Sequence, residues 1–197
     1  MPQLGQFRDY NEHDVINVYA VSGYDGSTIL NRGTLVKIAG NGFKLDEPSA
    51  IEFIGNPSAF SPTNVVSQRY GAIPKVVPAS NGDTPIGMTL FDVRETDENG
   101  ELLKFRPRKA AELEAVISGQ AMPVVRRGIF AYSGVTTGAA YLVPASANAI
   151  TAGASLYCGS NGTLTTYTGV AGANIKVATA LGTNDARGFT VVYLNVA

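Results

Sequence analysis

The chain has 197 residues, only 16% of them charged, a net charge of −1, 22 glycines, no tryptophan, one cysteine and one histidine. That balance excludes a general binder of nucleic acid or of an anionic membrane, because both need uncompensated positive charge. A lone Cys158 excludes an intrachain disulfide and a cysteine metal cluster, and the glycine content favours short strands and turns over long helices.

Residues 1–14 hold Phe7-Arg8-Asp9-Tyr10 and Glu12-His13-Asp14 and read as an extended arm, with Phe7 and Tyr10 in need of a surface to cover them. The amino terminus lacks the basic-then-apolar layout of a signal peptide, and no apolar run approaches the ~20 residues that span a bilayer. The chain is therefore expected to be made in a cytoplasm and kept there until it assembles. Val15–Val21 reads as a strand. Gly33–Ala39 and Phe43–Leu45 read as a hairpin turned by Asn41-Gly42, a pair that tolerates positive φ. Residues 46–71, with Pro48, Pro57 and Pro62, read as a long irregular loop. Pro74 and Pro78 place the segment 73–79 at a sheet edge, where a missing N–H needs no partner.

Residues 86–134 organise the rest. Ile86–Val93 reads as a strand, Arg94–Gly100 as an acidic turn and Glu101–Phe105 as the returning strand. A helix is predicted over 107–118, with Pro107 in its first turn and Gly119 at its end. Ala110, Leu113, Val116 and Ile117 share its apolar face, which is expected to lie on a sheet. Met122–Tyr132 reads as a strand broken at Gly128. Beyond Gly128 the only charged side chains are Lys176, Asp185 and Arg187. This neutral stretch holds strands at 154–158, 163–167, 175–181 and 187–196. It also echoes an earlier one: Gly33…Asn41-Gly42 and Gly153…Asn161-Gly162 share a glycine, a short strand and an Asn-Gly turn. The predicted fold is mainly β, a barrel- or sandwich-like domain of hairpins with one short helix. Its parts are the arm 1–14, a β domain 15–134 with the helix inserted, and a neutral lobe 135–197 that is either separate or continuous with it.

Catalytic patterns are not found in the sequence. There is no Gly-x-Ser-x-Gly, no phosphate-binding glycine loop, and no Ser or Cys near the single histidine. In extended chain Glu12 and Asp14 point away from His13, so that triplet is no metal site. Asp97, Asn99 and Glu101 lack the other ligands of a calcium loop. Cys158 reads as a buried apolar thiol. No catalytic, cofactor or metal residue is nominated. The basic residues Lys104, Arg106, Arg108 and Lys109, with Arg126 and Arg127, lie beside Asp97, Glu98, Glu101, Glu112 and Glu114. Such a mixed-charge face suits another protein better than a phosphate backbone.

Three phrases resemble the decoration, or cement, proteins that coat tailed-phage heads. They are Phe7-Arg-Asp-Tyr…His13-Asp-Val-Ile-Asn17, Gly87-Met-Thr-Leu-Phe-Asp-Val-Arg-Glu95, and Phe105-Arg-Pro-Arg-Lys-Ala-Ala-Glu112 through Ser118-Gly-Gln-Ala-Met-Pro-Val-Val-Arg-Arg-Gly128. The resemblance covers about half the chain and omits the neutral carboxyl-terminal third. It implies a β-rich homo-oligomer, a trimer by preference, that sits on the outer capsid surface of a virion and bridges subunits of the major capsid protein. Phe7, Arg8 and Tyr10 of the arm, and Arg106, Arg108, Arg126 and Arg127, are then expected to touch the shell or a sister subunit. It implies no enzyme, nucleic-acid partner or membrane. The alternative is a β-rich module of a virion fibre or adhesin that displays the neutral lobe to a glycan.

Overall fold

Short apolar stretches far apart in sequence pair into two β units. The computed structural model describes residues 3–6, 11–21, 30–39, 75–117, 120–135, 150–166 and 175–196. Its strands in chain order are β1 (Gln3–Gln6), β2 (Val15–Val21), β3 (Leu35–Ile38), β4 (Lys75–Pro78), β5 (Gly87–Thr89), β6 (Asp92–Val93), β7 (Ala115–Val116), β8 (Met122–Val125), β9 (Arg127–Ser133), β10 (Ser155–Cys158), β11 (Leu164–Thr165), β12 (Lys176–Ala180) and β13 (Phe189–Asn195). Among the described residues one α-helix, α1, spans Pro107–Glu112. The first unit is a closed barrel in the order β2-β4-β3-β5-β8, and the second is a six-stranded sheet in the order β1-β9-β13-β12-β10-β11. The fold is mainly β, as expected.

The two units are built to one register. Leu35 and Val36 pair with Met88 and Gly87 in the barrel, as Ser155 and Leu156 pair with Thr179 and Ala178 in the sheet. On the other side of the same strands, Lys37 and Ile38 meet Val77 and Val76, as Tyr157 and Cys158 meet Thr165 and Leu164. Met88 and Thr89 then pair with Val125 and Val124, as Thr179 and Ala180 pair with Tyr193 and Val192. The turns agree as well. The Gly33 N–H donates to Thr89 O (2.8 Å) and the Thr89 N–H to Thr34 O (3.0 Å); Gly153, Ala180 and Ala154 repeat this at 2.7 and 2.9 Å. The faint hairpin likeness in the sequence thus coincides with a repeated strand arrangement, although residues 40–45, which carry the first Asn-Gly, lie outside the described residues.

The units differ in closure. β2 and β4 pair in parallel to seal the barrel. In the sheet, the side of β9 away from β13 is taken by β1, and the Tyr132 hydroxyl reaches across to accept the Leu164 N–H at 3.3 Å. Val36, Val76, Val93, Val116, Met122 and Val124 fill the barrel. The opposite faces of its strands present Leu35, Met88 and Val125 to a second core that includes Phe130, Tyr132, Leu156, Leu164, Val192 and Leu194. The Gly162 N–H donates to Ala79 O at 2.6 Å, so the β10–β11 turn is fastened to the barrel.

Several sequence expectations need correction. The amino-terminal segment is not all arm, because β1 lies along β9 and Leu4 is buried. Pro78 does not mark an edge: β4 lies between β2 and β3, and Pro78 is the last residue of its strand. The stretch 86–93 is two strands. β5 belongs to the barrel, while β6 pairs in parallel with β7. Glu101–Phe105 is no strand: one bridge joins Thr96 to Leu102, and a 3₁₀ turn follows over Leu103–Phe105. The helix stops at Glu112 rather than near 118. Glu114 takes a positive φ of 47°, and Ala115–Ile117 are buried as extended chain. Val116 fills the barrel, a demand that outweighs a helical continuation for a β-branched residue. The break in 122–132 falls at Arg126, where the chain passes from barrel to sheet. The loop 46–71 lies outside the described residues.

Candidate functional site

The duplicated scaffold points to one stretch that it does not need. After β5 and its counterpart β12, both units form the same aspartate turn. Asp97 Oδ1 accepts the N–H groups of Asn99 (2.8 Å) and Glu101 (2.9 Å), and Asp185 Oδ1 accepts those of Arg187 and Phe189 (both 2.8 Å). Gly100 and Gly188 close these turns at the same φ of 82°. These backbone donors hold both carboxyls below the usual range, led by the N–H of Glu101 for Asp97 and of Phe189 for Asp185. From Asp185 the chain enters β13 directly. From Asp97 it first makes an excursion over 102–121, and only then enters β8.

The excursion has its own small core. Leu103, Ala115 and Ile117 are buried together, with Ala110 and Leu113 of the helical turn against them. It is tied down by the β6–β7 pair, by an ion pair between Arg32 and Glu114, and by the Arg32 N–H on Asp92 Oδ1 (2.7 Å). Its tip is anchored by Leu103, 1% exposed, while the 3₁₀ turn leaves Leu102 42% and Phe105 73% exposed. Pro107 starts α1 at once, since its missing N–H costs no helical bond there.

An open recess of about 450 Å³ lies beside Phe105, lined by Phe105, Arg106, Pro107, Arg108, Lys109 and Glu112. Arg106 Nη2 is engaged by Glu101 Oε1 at 2.7 Å. The Lys104 ammonium stands 5.0 Å from the centre of the Phe105 ring. Among the described residues, Lys104, Arg108 and Lys109 have no carboxylate within ion-pair distance. The site is therefore an exposed ring with an apolar proline wall and a cationic rim.

No family model, curated protein or solved structure matches this chain.

Of the residues singled out in the sequence, Arg106 and Arg108 lie in this recess. Arg126 and Arg127 do not lie with them. The Arg126 N–H donates to Asp14 O (2.8 Å), its carbonyl accepts the Val196 N–H (2.9 Å), and Arg127 Nε donates to Asn195 Oδ1 (3.2 Å). They follow β8 at its end away from the excursion, a strand about 13 Å long at the usual rise. Phe7, Arg8 and Tyr10 lie outside the described residues. Phe105 and Leu102 were not singled out as contact residues. The signal for them was Pro107, which ends any strand through Phe105, but the β-prone Leu102, Leu103 and Phe105 around Lys104 masked it.

Among the described residues, no group of three or more His, Cys, Asp or Glu side chains is placed to hold a metal, and no helix is long and apolar enough to cross a membrane. Burial, with a further contribution from the charge of Asp83, pushes the Cys158 thiol up to about 12. The thiolate, which is the nucleophilic form, is scarce at neutral pH.

Proposed function

We propose that this protein is a non-enzymatic structural component of a phage virion. It binds the outer surface of the capsid as a homo-oligomer, a trimer by preference, bridges neighbouring major capsid subunits and stabilises the expanded shell. The observation that carries this reading is the excursion 102–121, which takes Phe105 outward, with Lys104, Arg108 and Lys109 free of ion pairs among the described residues, from a scaffold whose other copy does without it. Binding sites grafted onto a rigid framework have this form. The resemblance of the amino-terminal arm and the central stretch to decoration proteins supports the same reading.

The mechanism is mechanical. A ligand that binds only the expanded shell stabilises that state in proportion to the logarithm of its concentration over Kd. A surface split between two capsid subunits that come into register only on expansion supplies such selectivity. The test mixes the purified chain with expanded, undecorated heads and with unexpanded precursor shells, then sediments them and counts bound copies. Saturable binding to expanded heads alone, at a fixed ratio to the capsid subunit, is expected. Binding to neither, together with retention of a glycan by the protein, would move the assignment to a fibre or adhesin.

A further inference from the structure

Resting on that reading, we infer that the recess beside Phe105 receives an acidic segment of the capsid subunit, with Phe105 seated in an apolar pocket. The argument begins from charge. Glu101 already pairs with Arg106, whereas Lys104 stands over the exposed ring and Arg108 and Lys109 line the recess beside it, none of the three with a carboxylate within ion-pair distance among the described residues. A free surface in water tolerates such cations, but three of them around a largely exposed aromatic form a site that carboxylates complete. Arg108 offers the planar fork that binds a carboxylate through two parallel hydrogen bonds. Water excluded by the ring and by Pro107 strengthens those bonds.

The same lining argues for protein rather than nucleic acid as the occupant. Glu112 is part of the recess, and Glu98 and Glu101 flank its entrance in sequence. An evenly charged phosphate backbone would meet these carboxylates wherever it reached the cations. A peptide segment places its carboxylates singly and leaves Glu112 facing a neutral residue. The ring supplies the buried centre and the cations the polar rim, the arrangement in which few residues carry most of the affinity.

The second β unit provides an internal control. Its aspartate turn carries Arg187 beside Phe189, 5.9 Å from guanidinium carbon to ring centre, with no excursion attached. Expanded, undecorated heads are the probe, and bound copies are counted over a concentration series. Phe105→Ala, and separately Arg108→Glu with Lys109→Glu, are each expected to weaken binding tenfold or more, and the charge reversal is expected to flatten the salt dependence. Arg187→Glu is expected to leave binding unchanged. Thermal melts of all variants check that the fold is intact; Phe105, Arg108 and Arg187 are exposed and Lys109 is half-buried.

If the parent binds expanded heads and both excursion variants bind equally well, the inference falls while the virion reading stands. An equal loss with Arg187→Glu would show that overall charge, and not this recess, governs binding, and would overturn it too. A parent that binds no heads removes both readings.

Discussion

Two copies of one strand arrangement in the same chain allow residue-by-residue comparison under one register. Leu35, Met88 and Val125 of the barrel stand where Ser155, Thr179 and Tyr193 stand in the sheet. The first three are fully buried against the core of the second unit, and the latter three are half-exposed. Strand pairing is indifferent to this change, because it is made by the backbone. What lies against a face decides its side chains. The barrel turns an apolar back toward its partner unit, and the sheet turns a hydroxyl-bearing back outward.

Exchanging equivalent residues should break the comparison most sharply at Leu35. Leu35→Ser removes a fully buried side chain and leaves a hydroxyl in an apolar setting, and should cost about 4 kcal/mol. The reciprocal Ser155→Leu lies on the half-exposed face and should change stability by no more than about 0.5 kcal/mol. Urea unfolding of the pair measures both. Equal costs would mean that the outer face of the sheet is packed as tightly as that of the barrel.

Gly87 and Ala178 form the next pair. A Cβ on Gly87 would stand 2.5 Å from Val125 O and 2.6 Å from a Val124 methyl, so strand β8 would have to move. Gly87→Ala should therefore cost about 3 kcal/mol. Ala178→Gly, where the methyl is accommodated and buried, should cost about 1 kcal/mol. The same denaturation series reads both, and a Gly87→Ala variant as stable as the parent would show that β8 yields freely.

Gly33 and Gly153 hold nearly the same positive φ, 88° and 86°, and so share the intrinsic penalty for a side chain of about 1 kcal/mol. They differ in surroundings. A Cβ at Gly33 meets Leu4 Cβ at 3.1 Å, whereas nothing lies within 4 Å of one at Gly153. Gly33→Ala should cost roughly 2 kcal/mol and Gly153→Ala roughly 1. The excess reports how firmly β1 is held.

The smallest effect concerns the matched aspartates. In both, the backbone N–H donors hold the carboxyl's pKa below its ordinary value in the folded state, so the stability they lend is present above about pH 4 and is lost as the pH falls below it. Asp97→Asn and Asp185→Asn should each reduce the fall in the urea midpoint between pH 7 and pH 3. An unchanged fall would mean that these turns do not survive as drawn in solution.

The duplication was faintly legible in the sequence because a glycine at positive φ leaves a mark that few other residues can replace, and Gly33 and Gly153 both carry it. The excursion was harder to read. Leu103 and Phe105 are two apart and would share a face in a strand, yet one is 1% and the other 73% exposed, which only the 3₁₀ turn explains. Val116 and Ile117 satisfied a helical period as well as an extended one, and only the space inside the barrel chose between them. The crossing at Arg126 leaves no local trace, since Met122–Tyr132 is strand-forming on both sides of it. Of the four arginines singled out, Arg106 and Arg108 line the recess and Arg126 and Arg127 do not, a separation that side-chain chemistry alone does not reveal.

On the ribosome β1 leaves the tunnel before any partner exists. Its neighbour β9 is made only after every barrel strand, and β13, on the other side of β9, comes later still. The barrel is complete in sequence by Val125, so it can form while the first strand waits. Completion of the second sheet then brings segments from both ends of the described chain to either side of β9. Such distant pairing slows folding, because long loops must close before contacts repay them. The finished molecule gains from the same arrangement: neither flanking strand can peel away without uncovering β9, so escape from the native state is slow wherever those pairings form after the folding barrier.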